Sequence, residues 1–290
     1  MMVKAPTLSV VIPCYNGHAF IDETIGSLHR QTFRDFEIIV VDDGSNDLET
    51  IRFLDALSTE ITLFRQLNKG LPAARNAGIG IARGTYILPL DCDDWLAPDC
   101  LEKMIATLLR LPKPGVVFCH LNLVGEASGI LEKHYNFYEQ LFFNQLPYSL
   151  MFAREVWERV GRYDETMRRG YEDWEFNIRL GENGIFGTPV REPLFNYRVR
   201  QDGMLKGKSH KLHGQLWTEI QQRHPQLYEF RRLLGIWRQW RTRESTYPKL
   251  FLLIWWILHR ILPERLFTLL FARLQGMSHS ARVKKTVRFR

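Results

Sequence analysis

Gly84-Thr-Tyr-Ile-Leu-Pro-Leu-Asp-Cys-Asp-Asp-Trp95 is the stretch on which the reading of the fold turns. It reads as a turn at Gly84, a buried strand from Tyr86 to Leu90, and three carboxylates within four residues, Asp91, Asp93 and Asp94. A short apolar run bounded by glycine and an acidic cluster fits a strand covered on both faces. Carboxylates at the carboxyl end of such a strand sit where open α/β sheets bind ligands. Alternate residues point the same way, so Asp91 and Asp93 can converge on one hard cation. Two carboxylates leave coordination positions open for waters and phosphate oxygens, which suits a nucleotide-diphosphate substrate. The competing reading is an acidic turn that caps a helix starting near Pro98. Asp94 in particular can cap a helix beyond Leu96.

Working outward, Leu8-Ser-Val-Val-Ile-Pro13 is a first β-branched strand ended by proline, followed by the loop Cys14-Tyr-Asn-Gly17. Phe20 to Arg30 has helical spacing, and Phe36-Glu-Ile-Ile-Val-Val41 is a second strand closed by Asp42-Asp-Gly-Ser45. Leu48 to Leu57 is helical, Ile61 to Phe64 is a third strand, and Gly70 to Ala82 is helical. Strand and helix alternating in this way predict a mostly parallel, doubly wound sheet. Acidic pairs then fall at the carboxyl ends of two strands, after Val41 and after Leu90. Gly78-Ile-Gly-Ile-Ala-Arg-Gly84 looks like a dinucleotide-binding loop, but it follows a helix and precedes a strand, the reverse of the required context.

The 290 residues suit one large α/β domain with an appendage. The net charge of +7 is unevenly spread: residues 231–290 hold 14 of the 39 basic and 2 of the 32 acidic residues, which makes that segment +12 and leaves −5 to residues 1–230. A basic segment of this kind points to an anionic surface as partner. Cys14, Cys92, Cys100 and Cys119 lie in or beside apolar runs without metal-ligand spacing and read as reduced core thiols. Leu8 to Ile12 is too short for a signal peptide, so the expected location is the cytoplasm.

Five blocks, in order, carry a resemblance: Ser9-Val-Val-Ile-Pro-Cys-Tyr-Asn16, Val41-Asp-Asp-Gly-Ser45, Gly70-Leu-Pro-Ala-Ala-Arg-Asn-Ala-Gly78, Asp91-Cys-Asp-Asp94, and Gly161-Arg-Tyr-Asp-Glu165 followed by Glu172-Asp-Trp174. Over roughly residues 7–200 the chain resembles the family 2 glycosyltransferases of the GT-A fold, an α/β Rossmann-like sheet flanked by helices. The resemblance implies that Pro13 and Tyr15 lie beside a uracil and that Asp43 accepts from its N3–H, a proton cytosine lacks. The alternative for Asp42 and Asp43 is an Asx turn into the next helix. Arg75, among small residues on a helix, can meet ribose or phosphate, or be an ordinary surface arginine. Asp91 is expected to accept from ribose hydroxyls or a metal-bound water, and Asp93 to ligate Mn²⁺ or Mg²⁺ directly. Asp173 corresponds to the family's general base, with Glu172 orienting it or touching the acceptor; both also complement the dipole of a helix starting near Glu172.

Beyond residue 110 the pattern changes. Gly115 to His120 is a strand, and Tyr135 to Phe143 carries five aromatic residues that serve either an acceptor sugar or a core. Arg191 to Arg198 reads as a final strand with basic ends, and the loop of residues 200–210 as a flap with Lys206, Lys208 or His210 on phosphate or metal. Leu250 to Leu262 is short of the about 20 residues a spanning helix needs. Its paired tryptophans, the stripe Leu266, Phe267, Leu270, Phe271, Leu274, and the basic end Arg282 to Arg290 describe helices lying in an anionic membrane interface. The alternative is a helical cap docked on the rest of the chain. A nucleic-acid role is not expected, because the basic residues are interleaved with aliphatics.

The expectation is therefore a catalytic domain over residues 1–230, its nucleotide half near 1–110 and its acceptor half near 111–230, with a basic amphipathic tail over 231–290. The expected activity is inverting, metal-dependent transfer from a UDP-sugar to a glycan or lipid-linked acceptor at the inner face of the plasma membrane. The rivals are an inactive homologue that binds a glycan or partner, and a nucleotidyltransferase on a similar sheet. The latter needs a phosphate loop that Cys14-Tyr-Asn-Gly17 does not supply.

Overall fold

A computed structural model describes residues 5–57, 59–200, 212–271 and 273. The first half runs β1 (Leu8–Cys14), α1 (His18–His29), β2 (Phe36–Asp42), α2 (Leu48–Ala56), β3 (Thr62–Arg65), α3 (Leu71–Ile81) and β4 (Tyr86–Pro89), as the alternation predicts. These four strands are parallel in the order β3-β2-β1-β4. The order turns back at β1, so a crevice opens beyond the carboxyl ends of β1 and β4, where such sheets bind ligands.

β1 and β2 are continuous apolar runs because both faces are covered. Val11, Ile39 and Val41 enter one buried cluster, while Leu8, Val10, Ile12, Ile38 and Val40 enter the other. Helix α3 can lie close to the sheet because Gly78 has no side chain: a Cβ there would strike Val11 and stand 2.9 Å from Val41 Cγ2. The small residues around Arg75 thus serve close packing.

The second half runs β5 (Trp95–Leu96), α4 (Cys100–Leu109), β6 (Val116–Gly125), β7 (Gly129–Leu131), α5 (Phe137–Gln140), β8 (Met151–Ala153), α6 (Arg154–Val160), α7 (Glu172–Glu182) and β9 (Gly187–Val199). It extends the sheet as β4-β8-β6-β9-β5 with mixed pairing, and β7 hangs on β6. β9 begins at Gly187, four residues before the predicted start at Arg191. Pro189 reads locally as a breaker, yet it pairs with Phe118 in the ladder.

Helices α8 (His213–Arg223), α9 (Phe230–Trp240) and α10 (Lys249–Ile261), then helical residues 264–271, complete the described chain. The aromatics from Tyr135 to Phe143 are core, buried with Trp217, Trp240, Trp255, Phe267 and Phe271. Phe143 stacks on Tyr247 at 4.5 Å, and Glu139 accepts from the backbone N–H groups of Thr246 (2.9 Å) and Tyr247 (2.8 Å). One face of the tail is therefore docked on the sheet-bearing body. Among the described residues no helix is long and apolar enough to cross a membrane.

Candidate active site

The loops after β1 and β2 are tied together by Asn16, which holds a left-handed φ of 52° and whose Oδ1 accepts from Asn46 N at 2.9 Å. Pro13 is buried and Tyr15 is exposed on this rim. Asp42 makes the Asx turn, accepting from Ser45 N at 2.8 Å. Asp43 accepts from Gln66 Nε2 (2.7 Å), Lys69 N (2.9 Å) and Gly70 N (2.8 Å). It therefore fixes the loop that launches α3. Among the described residues Oδ2 accepts only from Gly70 N, so it keeps acceptor capacity.

Arg75 is not a surface side chain. It is 1% exposed, donates from Nη2 to Asp91 Oδ1 (2.8 Å) and from Nη1 to Glu172 Oε1 (2.7 Å). Its guanidinium lies 5.0 Å from the Tyr148 ring centroid and 5.6 Å from that of Tyr163. The cause is the close seat of α3, which carries the side chain inward between β4 and α7. A buried guanidinium needs carboxylate partners, and the two it finds belong to the two acidic motifs.

The three aspartates after β4 separate in role. Asp94 does not cap α4, whose preceding residue is Asp99. It is buried, accepts from Tyr148 Oη (2.6 Å) and Arg198 N (2.7 Å), and so pins β9 to the turn. Burial and the neighbouring Asp93 hold its carboxyl well above the usual carboxylate range. Asp91 and Asp93 stay partly open, with side chains 26% and 30% exposed. Asp93 Oδ2 lies 3.5 Å from Arg200 Nη1, and burial together with Asp91 pushes its carboxyl up to about 6. Among the described residues no group of three or more His, Cys, Asp or Glu stands ready to hold a metal.

Helix α7 brings the second acidic pair. Tyr171 immediately before it takes a left-handed φ of 67°, costly for a bulky residue and located where the motif begins. Burial, opposed by Arg75, pushes Glu172 up to about 7. Burial also raises Asp173, again against Arg75, while Asn144 Nδ2 donates to its Oδ2 at 2.8 Å. Asp91 adds to the rise of Asp173, and partial burial with Asp94, Asp91, Asp93 and Asp173 nearby raises the hydroxyl of the half-buried Tyr197. The direct link between the two motifs is the Arg75 guanidinium, which pairs with Asp91 of one and Glu172 of the other.

Sequence reading missed Asn144, Tyr148, Tyr197, Arg198 and Arg200. The first two sit in an aromatic stretch without local signal. Arg198 was legible only as the basic end of a strand, and Arg200 only as the first residue of the loop read as a flap. Lys206, Lys208 and His210 lie outside the described residues.

A family model, glycosyl transferase family 2, matches residues 9–172. The chain belongs to this family. Among its relatives, the amylovoran biosynthesis glycosyltransferase AmsB of Erwinia amylovora is 28% identical over 246 residues, covering 77% of this chain and 80% of AmsB. Some curated family 2 relatives are longer, and the chain spans 33% of the length of one of them. The fold is shared with TarS of S. aureus in complex with UDP-GlcNAc (TM-score 0.65, 19% identity, 96% of this chain and 88% of that one). It is also shared with the mannosyltransferase PcManGT of Pyrobaculum calidifontis in complex with GDP-Man and Mn²⁺ (TM-score 0.59, 18% identity, 98% of this chain and 89% of that one). This family 2 chain thus has the expected GT-A fold.

Proposed function

We propose that the protein is an inverting glycosyltransferase that moves a sugar from a UDP-sugar to a glycan or lipid-linked acceptor in surface-polysaccharide synthesis. One observation carries the reading: Arg75 joins Asp91, on the nucleotide side, to Glu172, on the acceptor side. Asp43, with acceptor capacity left on Oδ2, meets the imide N–H of the base, while Pro13 and Tyr15 flank it. Asp91 accepts from ribose.

Asp173 takes the proton of the acceptor hydroxyl as its oxygen bonds to the anomeric carbon. The bond from that carbon to the diphosphate breaks on the opposite face, and UDP departs. Asn144 steadies the Asp173 carboxylate, and burial raises the affinity of Asp173 for a proton, the direction that favours a general base. Glu172, held by Arg75, orients its neighbour.

Asp91 and Asp93 fit a hard dication: both are oxygen donors, both are partly open, and their mutual repulsion is what a cation relieves. Mn²⁺ or Mg²⁺ held there with the diphosphate would offset the charge building on the leaving group. Lys206, Lys208 and His210 remain candidates for closing over the phosphates. The acceptor implies work at the cytoplasmic face of a membrane, with residues 245–290 as the contact.

The test is hydrolysis and transfer with a panel of nucleotide-sugars, UDP-N-acetylglucosamine and GDP-mannose included, with and without Mn²⁺. Manganese-dependent turnover of a UDP-sugar supports the reading. Turnover of GDP-mannose alone would overturn the donor assignment.

A further inference from the structure

Leu250, Ile254, Ile257 and Ile261 of α10 are between 44% and 70% exposed. Steps of three and four residues place them on one face of the helix, while Leu252, Trp255 and Trp256 on the other side are buried. The helical residues 264–271 repeat this division: Phe267 and Phe271 are buried, and Leu266, Leu269 and Leu270 are between 40% and 62% exposed. Seven of the fourteen exposed large hydrophobic residues among the described residues thus fall within residues 250–270. The tryptophans and phenylalanines that the sequence offers to a membrane are spent on the core, and a separate aliphatic stripe is left open.

We propose that this open stripe, Leu250, Ile254, Ile257 and Ile261 continued by Leu266, Leu269 and Leu270, docks on an anionic lipid bilayer. Charge selects the occupant. Residues 231–273 carry nine Lys or Arg to two Asp or Glu, and residues 274–290 add five basic residues and no acidic one. A second copy would bring the same positive charge to a two-fold contact, whereas an anionic bilayer brings the opposite sign. α10, with thirteen residues, is too short to span and lies in the interface plane. Arg260, its guanidinium 3.9 Å from the Trp256 ring centroid, stands at the helix end where a cation meets headgroups.

This gives a surface to the membrane partner of the reading above. Vesicle binding is measured without nucleotide, so its failure leaves donor and base standing, and theirs leaves it standing. Truncation is a poor test, because it would uncover Phe143 and Trp217. The full chain and the double variant Ile254→Glu with Ile257→Glu should be sedimented with phosphatidylcholine vesicles with and without phosphatidylglycerol. Both sites are already exposed, so thermal unfolding should be unchanged. The expected result is salt-sensitive binding of the full chain to anionic vesicles only, and at least about tenfold weaker partition of the variant. Equal sedimentation of variant and parent would overturn the proposal. So would light scattering that shows a dimer which the two glutamates dissociate.

Discussion

Tyr171 Oη and His213 Nδ1 are joined by a 2.9 Å hydrogen bond, across 42 residues of sequence. Tyr171 is the left-handed residue that precedes Glu172 and Asp173, and His213 is stacked on Phe271 and Trp217. The tail's docked face is therefore linked, through His213, to the residue that immediately precedes the acidic pair. Tyr171→Phe keeps the ring and deletes the bond. The expected outcome is a roughly tenfold lower kcat with unchanged donor KM, read from initial rates. A variant with parental kcat would show that the bond does not position Asp173.

Arg75→Met leaves Asp91 and Glu172 without their shared cation. Breaking a buried pair by removing one partner costs about 3–5 kcal/mol, which urea unfolding should register. Arg75→Lys is expected to recover only part of this, since one ammonium cannot fork between two carboxylates as a guanidinium does. Full stability of Arg75→Lys would count against the bridging role.

Asp173→Asn should abolish transfer and leave UDP affinity nearly unchanged, as seen by calorimetry. Its effect on stability has a definite sign. Burial raises the Asp173 pKa in the folded chain above the ordinary value of about 3.9, so the folded state binds the proton more tightly than the unfolded state. Stability due to this group is then present at low pH and lost as pH rises through the folded-state pKa. Asparagine does not titrate. The Tm of the variant relative to the parent should therefore climb as pH rises from acid and level off once the pH exceeds the folded-state pKa, and a flat difference would mean that Asp173 is not held in that way.

Asp93→Asn should remove the metal-dependent part of UDP binding while sparing the part made by the base-side loop. Titration of UDP with and without Mn²⁺ separates the two. The parent should bind more tightly with Mn²⁺ and the variant equally in both; an unchanged manganese effect in the variant would move the cation elsewhere.

The strand–helix order of the first half was legible in the sequence because the signals are local. β1 and β2 are apolar runs covered on both faces, and the acids after Val41 and Leu90 mark where β2 and β4 end. Gly78 was legible as a small residue, and its contact with Val11 and Val41 gave the reason. What the tertiary structure alone decided lies in contacts between distant segments. Asp91, Asp93 and Asp94 are chemically alike, yet Tyr148 and Arg198 bury one of them while the other two stay open. Arg75 reads as a side chain for ribose or phosphate, or else as a surface arginine, because nothing local says that α7, nearly a hundred residues on, supplies its second carboxylate. The tail shows the same division: its amphipathic pattern was plain, but which apolar face meets the protein and which is left over depends on the surface that the remainder of the chain presents to it.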